Sequence, residues 1–163
     1  MGLTATAALW FLPAVLPIAI FVSFSDMKRM KIPNLATDGL LLCYAVLGLF
    51  ALPFIDYLWH WLHFIIVLVV GFFLNAARVI GAGDAKFMAS AAPMIAFADL
   101  HLIIVLLAAC LLGGYATHRL ARLSPIRKMT DDWESWGTGK KFPMGFPLSM
   151  TLLFYLLIVA IYR

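Results

Sequence analysis

Charged residues are scarce in this chain of 163 residues, since only 12% are Asp, Glu, Lys or Arg while 64% are hydrophobic. An ordinary soluble domain is about one quarter charged and about half apolar. The scarcity of charge therefore excludes an ordinary soluble domain and indicates an integral membrane protein. The length is suited to a single domain covering residues 1–163.

Cysteine is scarce too, and Cys43 and Cys110 each lie alone within an apolar run. The sequence contains no CxxC pair and no Cys/His spacing typical of a zinc site, so no metal and no cofactor is expected. The first 26 residues lack the basic region that opens a secretory signal peptide, and they are expected to form a membrane span instead. Internal repeats and low-complexity tracts are absent as well.

Long apolar runs, in contrast, are abundant. A spanning helix needs about 20 mostly apolar residues, and about six segments qualify. The predicted spans are residues 6–25, 35–54, 60–79, 85–98, 100–118 and 146–162. The fourth contains Pro93 and is too short for a straight crossing, so we expect it to be short, tilted or shielded by its neighbours. The predicted fold is an all-α polytopic membrane protein with a cytoplasmic loop at 119–145, in which a short interfacial helix would carry Trp133 and Trp136.

The basic residues indicate the orientation of these spans. Eleven of the twelve lie on one side of the predicted membrane, and only Arg163 lies on the other. The eleven are Lys28, Arg29, Lys31, Arg78, Lys86, Arg119, Arg122, Arg127, Lys128, Lys140 and Lys141. Because Lys and Arg concentrate in cytoplasmic loops, this side is predicted to be cytoplasmic. Topology also explains the net charge of +4, so no nucleic-acid partner is expected.

Three acidic residues, Asp26, Asp38 and Asp84, lie at or just inside ends of apolar segments, where a charge is expensive and suggests a functional site. Asp26 ends the first span and Asp84 begins the fourth, so the topology brings both to the same depth. Two close carboxyls in a partly desolvated site cannot easily both ionise, and a pair that shares a proton can hydrolyse a bond without a metal. Asp84 alone has another interpretation, because it stands where an N-cap belongs before the helix-forming run AKFMASAA.

The remaining acidic residues are interpreted structurally. Asp131, Asp132 and Glu134 belong to the loop, and Asp56 and Asp99 to turns on the outer side, where all five are expected to be solvated. Asp38 is either a hydrogen-bond partner for the site or a solvated helix residue.

Two motifs carry a resemblance to a known family. DMKRMKIPN, from Asp26 to Asn34, resembles the D-x5-IPN signature of prepilin peptidases. GAGDAK, from Gly81 to Lys86, resembles their GxGDxK signature, which marks a family of intramembrane aspartyl proteases. The resemblance is closest to the short branch that serves Tad-type (Flp) pili. Longer members carry two CxxC pairs, and the absence of these pairs argues against N-methyltransferase activity here.

The resemblance implies that Asp26 and Asp84 are the catalytic aspartates. The residues that would shape the site or lie near substrate are Gly81, Gly83, Lys86, Ile32, Pro33 and Asn34. For Lys86, a lysine that merely snorkels to the interface is the alternative. KKFPMGFPLSM resembles the family's P-Y-G segment, with Met144 in place of the aromatic residue.

The implied substrate is a type IV prepilin precursor whose short basic leader precedes an apolar helix in the bilayer. Cleavage would fall at their junction, on the cytoplasmic face of a prokaryotic cell membrane. Three alternatives remain: a small transporter or channel, a non-catalytic subunit of a pilus or secretion assembly, and an intramembrane protease with other substrates.

Overall fold

The computed structural model describes residues 2–137 and 142–163, which form helices and turns without a strand. Lys140 and Lys141, which were predicted to be cytoplasmic, lie outside the described residues. The α-helices are α1 (Ala5–Arg29), α2 (Asn34–Ala51), α3 (Phe54–Ala76), α4 (Ala82–Ala91), α5 (Leu100–Leu123), α6 (Ile126–Met129) and α7 (Gly145–Tyr162). By length and composition, α1, α2, α3, α5 and α7 can each cross a membrane. The prediction of an all-α polytopic membrane protein is confirmed.

Helices α1 and α7 form the centre of the bundle. Helix α1 packs against α7 and α2, while α5 packs mainly on α7 and α3 mainly on α4. The core between them is built from fully buried side chains such as Phe11, Tyr44 and Tyr155. Helix α3 instead exposes apolar side chains along most of its surface, as at Phe72 and Phe73. Such a surface suits contact with lipid, where an apolar exterior carries no penalty.

Among the described residues, the fourth predicted span does not form a helix long enough to cross a membrane, and a short helix shielded by its neighbours stands there instead. Helix α4 ends at Ala91, and 3₁₀ turns follow at Ala92–Met94 and Phe97–Asp99. Irregular backbone at membrane depth is tolerated only where its polar groups find partners. His60 Nδ1 donates to the Pro93 carbonyl at 2.7 Å, and His63 Nδ1 donates to the Ile95 carbonyl at 3.0 Å. The two histidines of α3 thus satisfy carbonyls that the interrupted helix leaves open.

Asp99 is buried, so the expectation that it is a solvated turn residue is wrong. Only 3% of the residue is exposed. Its carboxylate accepts hydrogen bonds from the Leu3 amide at 3.0 Å and the Tyr155 hydroxyl at 2.8 Å. It also forms a two-pronged ion pair with the guanidinium of Arg163. This network closes the end of the bundle that lies opposite Asp26 and Asp84.

The segment between α5 and α7 packs against the bundle. Helix α5 continues to Leu123, beyond the predicted boundary at 118, because ATHRLARL still favours a helix. Lys28 pairs with Asp132 at 2.8 Å, and the Trp133 ring meets Phe24 edge-on at 5.7 Å. In place of the expected interfacial helix there is a 3₁₀ turn at Glu134–Trp136. Trp136 is buried and stacks on His118 with 4.8 Å between ring centroids.

Candidate active site

Asp26 lies in the last turn of α1, and only 5% of the residue is exposed. The helix ends at Met30, whose left-handed backbone (φ 51°, ψ 37°) lets its amide donate to the Asp26 carbonyl at 2.9 Å. This cap reverses the chain, and the Ser25 hydroxyl holds the turn by donating to the Lys31 carbonyl at 3.1 Å. The reversal returns Ile32 to the side of the bundle that carries Asp26.

The Asp26 carboxylate is held by the first residue of α7. The Gly145 amide donates to Asp26 Oδ2 at 2.6 Å, across 119 residues of sequence. The first amides of a helix have no partner within that helix, so they suit an anionic acceptor. A Cβ on Gly145 would lie 3.0 Å from Asp26 Oδ2 and 2.9 Å from Ile32 Cγ1. Sequence reasoning missed this residue, although its glycine stands in the segment that resembles P-Y-G.

Asp84 lies in the first turn of α4. It was predicted to be the N-cap of this helix, and that position is wrong. The N-cap is Gly81, and Asp84 stands three residues later, with Oδ2 accepting from the Gly81 amide at 3.2 Å. Asp84 nevertheless caps the helix from its third position, because its carboxylate reaches back to the amide at the start of the helix. Burial raises the pKa of the Asp84 carboxyl above its usual value, and the Gly81 amide partly opposes this shift.

The two motif glycines meet different neighbours. A Cβ on Gly81 would lie 2.7 Å from Asp84 Oδ2, so any side chain there collides with the carboxylate. A Cβ on Gly83 would lie 3.4 Å from Ile32 Cβ, which is a tight contact but not an impossible one. Neither glycine has a positive φ, so the requirement at these positions is steric.

The IPN residues connect the segments that hold the two acids. Ile32 lies against both Gly83 and Gly145, and Pro33 is the N-cap of α2. Lys86 Nζ donates to Asn34 Oδ1 at 3.1 Å, which ties the start of α4 to the start of α2. Lys86 thus contacts another motif residue, which is a structural role that the sequence did not suggest.

Both acids line one pocket of about 770 Å³, here called the acid pocket. Of the six residues expected near them, Ile32, Gly81 and Gly83 line the pocket, whereas Pro33, Asn34 and Lys86 do not. Asp38 is exposed on α2 and does not line the acid pocket either.

The wall of the acid pocket also contains strained and basic residues. Met30 and Arg78 are the non-glycine residues with positive φ in the described part of the chain, at 51° and 60°, and both line the pocket. Backbone strain of this kind is kept where the surrounding structure enforces it, often at functional sites. Arg78 and Lys31 bring positive charge to the wall.

Two carboxyls facing one pocket have a definite chemical capacity. One ionised carboxylate can take a proton from water, while a protonated partner donates a hydrogen bond to a carbonyl oxygen. Each acid has one oxygen engaged by a backbone amide, from Gly145 for Asp26 and from Gly81 for Asp84. These amides orient the carboxyl groups before a substrate arrives.

Comparison with known proteins identifies the family. Comparisons with curated proteins and with solved structures gave no significant match. Residues 13–117, well over half of the chain, match the model of the type IV leader peptidase family. The matched range contains both Asp26 and Asp84. As the motifs predicted, the chain belongs to the type IV leader peptidase family.

Proposed function

We propose that this chain is a membrane-embedded aspartyl endopeptidase that removes the short basic leader from type IV prepilin precursors of the Flp/Tad kind. Membership of the type IV leader peptidase family supports peptidase activity on prepilin-like substrates. One observation carries the assignment of the catalytic pair. Asp26 and Asp84, from helices distant in sequence, line the same pocket at one end of the bundle.

In the proposed reaction the two acids share a single proton. The ionised carboxylate removes a proton from water, which attacks the carbonyl carbon of the peptide bond, and the protonated carboxyl stabilises the developing oxyanion. The oxyanion then collapses, the C–N bond breaks, and the proton taken from water passes to the departing amine, so the pair returns to its starting charge. Because the acids work as a unit, loss of either one should remove activity.

The proposed site of action is the cytoplasmic face of the inner membrane. The distribution of Lys and Arg supports this orientation, since the loops at the Asp26 end carry almost all of the basic residues. A precursor whose apolar helix lies in the bilayer would present its leader junction at the depth of the acid pocket.

Co-expression tests this function. The chain is expressed with candidate prepilin precursors from the same genome, and the mature N-terminus is read by mass spectrometry. We expect a precursor shortened at the junction between its basic leader and its apolar helix, and full-length precursor when Asp84→Asn replaces the wild type. A precursor that co-purifies with the wild type but is never cut would contradict the proposal and favour a non-catalytic assembly subunit.

A further inference from the structure

A second pocket lies beside the acid pocket, further along the bundle, and is here called the apolar groove. It has a volume of about 290 Å³. Ile66 of α3 and Ile103 of α5 form its two sides, while Phe87 of α4 and Leu148 of α7 lie at its base. The groove exists because α3 packs mainly on α4, and α5 mainly on α7, which leaves a cleft between α3 and α5.

The apolar groove begins one helical turn from Asp84 on α4 and one helical turn from Gly145, the partner of Asp26, on α7. Phe87 follows Asp84 by three residues in α4, and Leu148 follows Gly145 by three residues in α7. Residues three apart lie on the same side of a helix. A peptide bound at the acids is therefore directed into the groove by α4, which carries Asp84, and by α7, whose first amide binds Asp26.

The polar groups at the wall are already satisfied within the protein. His63 donates to the Ile95 carbonyl at 3.0 Å, and the Thr151 hydroxyl donates to the Pro147 carbonyl at 2.7 Å. The groove is open to the bilayer along its sides, where Ile66 is 50% exposed. The wall thus presents an apolar surface that suits another apolar surface.

We propose that the apolar groove holds one face of the substrate's transmembrane helix, the segment that begins where the leader ends. This inference rests on the proposed function. A helix is about 10–12 Å wide, so the groove takes only a few side chains from one face, as ridges pack into grooves between helices. Those side chains lie roughly one to three turns, or about 5–16 Å, beyond the cleaved bond.

The chain contains matched positions for a test. Ile65 and Ile104 are also exposed, at 53% and 62%, and neither lines the groove, although each adjoins a groove residue of the same type. Ile66→Trp and Ile103→Trp obstruct the groove, whereas Ile65→Trp and Ile104→Trp place the same ring at the same depth on other faces. In vesicles that contain the precursor, the first two should lower the cleavage rate by about tenfold, the equivalent of 1.4 kcal/mol of binding. The other two should cleave at the wild-type rate.

Cross-linking separates this inference from the proposed function. In the Asp84→Asn background, Ile66→benzoylphenylalanine and Ile103→benzoylphenylalanine should each cross-link to the apolar helix of the precursor, and the same change at Ile65 or Ile104 should not. If the wild type never cuts a precursor that still cross-links from the groove, the proposed function fails while the groove assignment stands. Cross-links to lipid alone, or equal cross-linking and cleavage at the groove and control positions, would overturn the groove assignment.

Discussion

Gly145→Ala is the substitution that most directly tests how Asp26 is held. The added methyl group would lie 2.9 Å from Ile32 Cγ1 and 3.0 Å from both Cβ and Oδ2 of Asp26. Carbon atoms do not approach this closely, so the carboxylate must move away from the Gly145 amide. A hydrogen bond to a charged group contributes about 1.5–3 kcal/mol, and a misplacement of about 1 Å alone can lower a rate ~100-fold. We expect cleavage to fall about 100-fold, by loss of orientation at the site.

The assay is cleavage of a precursor by purified enzyme in vesicles, together with a thermal unfolding curve of each variant. Gly113→Ala is the matched control, because a Cβ at that position meets no atom within 4 Å. It should keep full activity and gain up to ~1 kcal/mol of helix stability. If Gly145→Ala cleaves at the wild-type rate, the Gly145 amide does not position Asp26 for the reaction.

Three further predictions follow from the geometry of the acids and of the opposite end of the bundle. Gly81→Ala should lower activity far more than Gly83→Ala. The methyl group added at Gly81 would lie 2.7 Å from the Asp84 carboxylate, whereas the one added at Gly83 would lie 3.4 Å from Ile32 Cβ. Arg163→Ala should lower the free energy of unfolding by about 2 kcal/mol, since it leaves the buried carboxylate of Asp99 without its cation. Asp84→Asn should flatten the dependence of stability on pH. Burial raises the pKa of Asp84 in the folded protein, so the folded state binds this proton more tightly than the unfolded state. Wild-type stability therefore declines as the pH rises above about 3.9, the ordinary pKa of Asp.

Each of these predictions has its own measurement. Equal loss of cleavage in Gly81→Ala and Gly83→Ala would show that a collision with the Asp84 carboxylate is not the cause of the lost activity. For Arg163, the control is Lys28→Ala, which breaks an exposed ion pair with Asp132 and should change stability far less, because solvent screens that pair. Equal changes of melting temperature in Arg163→Ala and Lys28→Ala would contradict the prediction that the ion pair of Arg163 with the buried Asp99 contributes more to stability. Parallel curves of melting temperature against pH for wild type and Asp84→Asn would contradict the raised pKa.

The helices and the depth of the two acids could be predicted from the sequence, because both follow from local patterns. Apolar runs of spanning length locate the helices, and the charges at their ends establish which ends lie at the same depth. Asp26 and Asp84 therefore share a depth in any bundle built from these spans. That they line one pocket required the packing of α1 against α7 and of α4 against α7.

The remaining contacts join positions far apart in sequence and leave no local pattern. The Gly145 amide meets Asp26 across 119 residues, and Asp99 meets Arg163 across 64 residues. From sequence alone, a buried acid in a turn cannot be distinguished from a solvated one, because its burial depends on a distant partner. The expectation for Asp99 was wrong for this reason. His60 and His63 were not singled out, because their role depends on which backbone carbonyls remain open after α4 ends, here those of Pro93 and Ile95.

The most direct test of the central claim uses purified Asp26→Asn and Asp84→Asn variants with an authentic precursor in vesicles. Asp38→Asn is the control, since Asp38 is an exposed acid of α2 outside the acid pocket. The product is weighed by mass spectrometry, and the fold of each variant is checked by thermal unfolding. We predict that wild type and Asp38→Asn release the leader while both site variants remain folded and leave the precursor intact. Wild-type cleavage by either Asp26→Asn or Asp84→Asn would contradict the assignment of the pair.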